Sequence, residues 1–200
     1  MQHVFNSQQR PQDYCTDSDG KFCGKFPGAP SKCPFKNCGI PMPMKKHGYY
    51  CRCLITFGFS GEIKIRRYIC GKCGRTVSML PSFCLAWYTY GVEIIVSLMR
   101  QAVETGSINN AVKAYSAYFE CITRRQVKQY LSRLKRNRVL IQYGFNQISP
   151  GIIKNDDSPG DIEWTRRILV GKRPILTPES NTKFHNTMGI SYMSTRNRIA

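Results

Sequence analysis

Two pairs of closely spaced cysteines restrict this chain more than any other feature. The first reads Cys33-Pro-Phe-Lys-Asn-Cys38-Gly39, and the second reads Cys70-Gly71-Lys72-Cys73-Gly74. Cysteines with two to four residues between them can curl around one metal ion, and a neighbouring glycine permits the tight turn. Two such pairs supply four thiolates, a set that suits tetrahedral Zn²⁺. Four thiolates leave no open position for a catalytic water, so the metal is expected to be structural. Without it, so small a unit should lose its fold.

The chain has 200 residues and ten cysteines. Its start, Met1-Gln2-His3-Val4-Phe5, lacks the basic opening and apolar centre of a signal peptide. A cytoplasmic location is therefore expected, where disulfides are disfavoured and metal binding is the better reading of the cysteines. No apolar run reaches the roughly 18 residues of a membrane span. Hydrophobic residues make up 42%, which allows a buried core and argues against a mainly disordered chain.

Between the pairs, the sequence predicts a β-hairpin. Residues 48–57 form one strand and 62–69 the other, with Gly58-Phe59-Ser60-Gly61 as the turn. A hairpin held between two metal knuckles is a zinc ribbon. Cys51 and Cys53 alternate on one strand face and are expected to pack against the hairpin, with ligation as the alternative. His47 could replace a cysteine as ligand. Cys15 and Cys23 could complete a second site with Cys51 and Cys53. Cys84 and Cys121 border apolar helical patterns and read as core.

Helical periodicity follows. Leu85, Tyr88, Val92, Ile95, Met99 and Val103 form one apolar face. Ser107 caps a short second helix containing Ile108, Ala111, Val112 and Tyr115. Thr123-Arg-Arg-Gln126 matches a capping box and opens a third helix with Val127, Tyr130, Leu131 and Leu134 as its buried stripe. Arg125, Lys128, Gln129, Ser132 and Arg136 fall opposite that stripe. Arg and Lys can contact guanine or phosphate, and Gln can pair with an adenine edge. Three short helices, the third strongly basic, read as a helix-turn-helix, with a connection over 116–122 longer than a tight turn.

The charge supports a polyanionic partner. Thirty Lys and Arg face twelve Asp and Glu, for a formal net charge of +18. Residues 121–150 contain no acid, and Arg124, Arg125, Lys128, Arg133, Lys135, Arg136 and Arg138 concentrate there. Surface helices ordinarily mix signs, because Glu–Lys pairs stabilise them. Arg66, Arg67, Lys72 and Arg75 on the hairpin side are expected to touch phosphates.

The expected architecture is a small α+β protein: an N-terminal arm (1–32), a zinc ribbon (33–80), a helix-turn-helix-like domain (81–145) and an irregular basic C-terminal tail (146–200). Asp156, Asp157, Asp161 and Glu163 lie within eight residues of one another in a turn-rich stretch. They read as a solvated acidic loop, because a nuclease needs well-separated carboxylates binding two metals. No catalytic residue is assigned. Glu163 to Val170 could form a helix placing Trp164 on the core, and residues 183–200 read as a mobile tail.

His47-Gly48-Tyr49-Tyr50-x-Arg52, Ile65-Arg66-Arg67-Tyr68-x-Cys70-x-x-Cys73-Gly74-Arg75-Thr76 and Leu80-Pro81-Ser82-Phe83 resemble the N-terminal zinc-ribbon and helix-turn-helix modules of bacterial transposases, in particular a transposase-associated family. The resemblance covers about half the chain. It implies recognition of mobile-element ends, with double-stranded DNA as partner. A homodimer or a transposase partner is compatible with it. The alternatives are a catalytic transposase or nuclease fragment, and RNA binding with Tyr49, Tyr50 and Tyr68 stacking on bases. A membrane partner is not expected.

Overall fold

The computed structural model describes residues 2–17, 19, 21–35, 37–153, 160–170 and 175–194. It is α+β and divides into two compact units, Met1–Thr89 and Tyr90–Ala200.

Unit 1 is built on a four-stranded mixed sheet. Its strands are β1 (Gln2–Phe5), β2 (Lys45–Thr56), β3 (Phe59–Ile69) and β4 (Thr76–Pro81), in the order β1-β4-β3-β2. β2 and β3 are the expected hairpin, but the turn is tighter. Thr56 pairs with Phe59, so Phe57 and Gly58 alone connect the strands. β4 pairs antiparallel with β3, and β1 lies parallel to β4 with Val4 opposite Leu80. Successive side chains alternate across a strand, and β4 is buried on both faces. Val77 and Met79 join Cys33, Met44, Tyr68 and Cys70 in one cluster. Leu80 joins Val4, Tyr14, Leu54, Ile63, Ile65, Cys84 and Ala86 in the other.

The expected arm over 1–32 is instead part of unit 1. β1 supplies an edge strand, and the 3₁₀ turn Pro11–Tyr14 buries Tyr14 on the sheet. Pairing needs only a free edge on β4, which a sequence of local signals does not reveal. The helix expected from Leu85 starts later. Trp87 holds a left-handed backbone, with φ of 71°, which stops a helix from running through it. Leu85 and Tyr88 are buried in turns instead. Arg52 holds that segment by donating to the carbonyls of Leu85 (3.3 Å) and Tyr88.

Unit 2 contains α1 (Val92–Glu104), α2 (Ile108–Ser116), α3 (Arg124–Arg136), α4 (Arg138–Ile148), α5 (Asp161–Val170) and α6 (Pro178–Met188). α1 packs against α2, α3 and α5, and α4 packs against α6. Among its described residues, the expected irregular tail over 146–200 instead contributes the end of α4 and two further helices, α5 and α6. It buries Trp164, Ile168, Leu169, Phe184, Tyr192 and Met193, which is enough apolar surface to hold two short helices in place. Residues 195–200 lie outside the described residues. No helix among those described is long and apolar enough to cross a membrane.

Candidate metal centre and basic surfaces

Cys33, Cys38, Cys70 and Cys73 converge, with their sulfurs all within 4.8 Å of one another. The cross-pair distances are 3.8 Å for Cys33–Cys73 and 3.7 Å for Cys38–Cys70. A disulfide would bring two sulfurs to about 2 Å. Metal–sulfur bonds of about 2.3 Å in a tetrahedron place neighbouring sulfurs about 3.8 Å apart. The four thiols therefore have the spacing to hold a metal ion.

Local sequence builds both knuckles. In the first, Phe35 O accepts from Cys38 N at 2.8 Å and from Gly39 N at 3.0 Å. In the second, Cys70 O accepts from Gly74 N at 3.0 Å, and Cys70 N donates to Arg75 O at 3.0 Å. Gly39 and Gly74 take φ of 51° and 65°, a region costly for any residue with a Cβ. The backbone N–H groups of Cys73 and Lys72 point at the Cys70 sulfur and lower its pKa to about 6 against the effect of burial. Such N–H donors stabilise a thiolate ligand. Burial instead pushes Cys33 up to about 12. The Arg75 guanidinium lies 5.2 Å from the Phe35 ring, linking one knuckle to the other.

The remaining cysteines are placed differently from expectation. Cys51 and Cys53 are exposed rather than packed against the hairpin, because the opposite face of the hairpin, with Leu54, Ile63 and Ile65, is the buried one. The Glu62 carboxylate beside Cys51 holds its thiol above the usual pKa. Cys15 and Cys23 face each other across a small hairpin, with Cys23 N donating to Cys15 O at 3.1 Å. Among the described residues they form no second ligand cluster with Cys51 and Cys53, and exposed His47 joins none. Cys84 is core, and burial pushes its pKa to about 12. Cys121 is exposed in the α2–α3 connection, where the apolar pattern expected to bury it is interrupted.

α3 carries the expected basic face. Val127, Tyr130 and Leu134 are buried, while Arg124, Arg125, Lys128, Gln129, Ser132 and Arg136 are exposed and Arg133 is half-buried. Thr123 accepts from Gln126 N at 3.3 Å, and the Gln126 side chain accepts from Thr123 N at 2.8 Å, closing the capping box. Lys72 and Arg75 are exposed in unit 1. Arg67 is tied to Thr76 at 3.2 Å, and Arg66 lies over the rings of Phe26 and Tyr68. Of the three tyrosines expected to stack on bases, Tyr49 is exposed, Tyr50 half-buried and Tyr68 buried, and Lys64 Nζ lies 4.5 Å from the Tyr49 ring centroid. Phe22 and Phe26 carry no periodic signal in the sequence, yet the fold stacks them in one row with Tyr49. The local hint is a Lys-Phe pair repeated four residues apart, Lys21-Phe22 and Lys25-Phe26.

Of the acidic quartet, Asp156 and Asp157 lie outside the described residues. Asp161 pairs with Arg138 at 3.6 Å, and Glu163 pairs with Arg167 at 3.3 Å. Fold and site together define an α+β chain with a four-cysteine cluster able to hold a metal ion. Comparison with protein-family models, curated proteins and solved structures finds no match.

Proposed function

We propose that this chain is a zinc-dependent DNA-binding protein, serving as the DNA-binding module of a transposase or as a regulator associated with a mobile element. The observation that carries the reading is the exposed face of α3: four cations, an amide and a hydroxyl, in a stretch from 121 to 150 without a single acid. In this reading α2 and α3 form a loose helix-turn-helix, and α3 enters the major groove. Arg125 and Gln129 read base edges. Arg124, next to the helix N-terminus, holds a phosphate, and Lys128 and Arg136 add backbone contacts. Lys72 and Arg75 supply further phosphate contacts from unit 1.

Zn²⁺ suits the four sulfurs, and a closed tetrahedral site gives it a structural role. In this reading the chain binds DNA without cleaving it, since its sequence offers no set of well-separated carboxylates for a two-metal nuclease site. The chain is placed in the cytoplasm, where its thiols stay reduced.

Selection from a randomised duplex pool tests the reading. An enriched site should emerge, and its affinity should fall steeply as salt rises, through counterion release. Replacing both Arg125 and Gln129 with Ala should flatten the selectivity and leave binding to random duplex largely intact. Equal loss on both duplexes would remove the recognition role from α3.

A further inference from the structure

We infer that unit 1 bears a nucleic-acid surface of its own: a row of rings, Phe22, Phe26 and Tyr49, on which unpaired bases stack. It is separate from α3 and does not rest on duplex recognition there. Phe22 and Phe26 stack with centroids 3.8 Å apart and planes 6° from parallel. Phe26 and Tyr49 continue the row at 6.4 Å and 17°. The core ring pairs of the same unit behave differently, since Tyr14 meets Phe22 and Phe83 edge-on at 68° and 73°. Parallel rings leave a π-face at the end of the row, and Tyr49 there keeps 50% of its surface exposed.

Cations attend these rings. Lys64 Nζ lies 4.5 Å from the Tyr49 centroid, and the Arg66 guanidinium lies 5.3 Å from that of Phe26. Unit 1 holds thirteen Lys and Arg against four acids, Asp13, Asp17, Asp19 and Glu62. That imbalance selects a polyanion. The aromatic faces select one with planar groups, which excludes polyphosphate and lipid headgroups. A duplex hides its base faces inside the stack, whereas a single strand offers them. A base on Tyr49 would displace Lys64, freeing its ammonium for the adjoining phosphate.

The row is also pinned in advance. The Gln9 carboxamide donates to Lys25 O and accepts from Lys25 N, both at 2.7 Å. Gly24 packs so closely that an added Cβ would lie 2.2 Å from Asp13 O. The segment bearing Phe22 and Phe26 thus needs little ordering when a ligand arrives.

Fluorescence anisotropy on the full, metal-loaded chain tests this with four labelled probes at one salt concentration: oligo(dT), oligo(U), an abasic strand of equal length, and a blunt duplex. Wild type should bind a base-bearing strand more tightly than the abasic one. Tyr49→Ala should weaken that binding roughly 5- to 150-fold, the equivalent of about 1–3 kcal/mol for one stacked base, and leave the abasic strand and the duplex unchanged. Tyr49→Trp should restore affinity and add an emission quenched by the bound base. Preference between oligo(dT) and oligo(U) assigns the strand as DNA or RNA, and either outcome supports the platform. No preference for bases over the abasic strand would overturn it, as would equal Tyr49→Ala losses on every probe. Arg125→Ala should affect the duplex alone, so failure of the α3 reading is read separately.

Discussion

Asn137 occupies the junction between α3 and α4 and is 2% exposed. Its Nδ2 donates to Tyr192 O at 2.8 Å and to Ser194 O at 2.9 Å, tying the C-terminal segment to the end of the basic helix. Asn137→Leu removes both donors and should cost unit 2 about 2 kcal/mol, measured by urea unfolding followed through Trp164 fluorescence. A change under about 0.5 kcal/mol would mean the tie is not holding that segment. Gly144 tests packing in the same unit. A Cβ there would lie 2.4 Å from a Phe184 ring carbon and 2.9 Å from Met188 Cγ. Gly144→Ala should therefore destabilise by about 1–3 kcal/mol through overpacking, although helix propensity alone favours Ala. Neither effect is legible locally: Asn137 owes its role to partners 55 and 57 residues away, and Gly144 to Phe184 and Met188 on α6.

Among the elements, α3 is the one most fully written in its own residues. Its capping box, its apolar stripe and the exposed cations opposite all follow from spacing within 14 residues. Thr123→Ala should cost about 1 kcal/mol of unit 2 stability, detectable as a lowered urea midpoint at unchanged slope. Thr123→Ser should recover most of it, and failure to do so would point to a lost contact of the Thr methyl group instead of the cap. The β2–β3 hairpin was similarly legible, because alternation is a local signal. β1 and β4 were not. β4 is buried on both faces, so its sequence lacks the alternation of a half-exposed strand, and β1 has only four residues. α5 and α6 are short and weakly patterned. Their helicity depends on burying Trp164 and Phe184 against the rest of unit 2.

At the scale of the whole molecule, the two units depend on different stabilising devices. Unit 2 has an extended helical core around α1. Unit 1 packs part of its sheet against the four-cysteine cluster itself, with Cys33 and Cys70 inside that core. Chelation should therefore abolish the near-UV signal of unit 1 and expose it to proteolysis. The buried Trp164 of unit 2 should keep its blue-shifted emission, against a background from Trp87, which is already 88% exposed. Retention of unit 1 structure after verified metal removal would overturn the structural role of the site. The sequence alone determined the features that rest on neighbours along the chain: the paired cysteines and their turn glycines, the hairpin, and the capped basic helix. Tertiary structure decided which cysteines meet, which face solvent, that β1 completes the sheet, and that Phe22, Phe26 and Tyr49 share one row. Ring stacking and ligand convergence are set by distances through space, and chain spacing encodes those only where secondary structure makes the two equivalent.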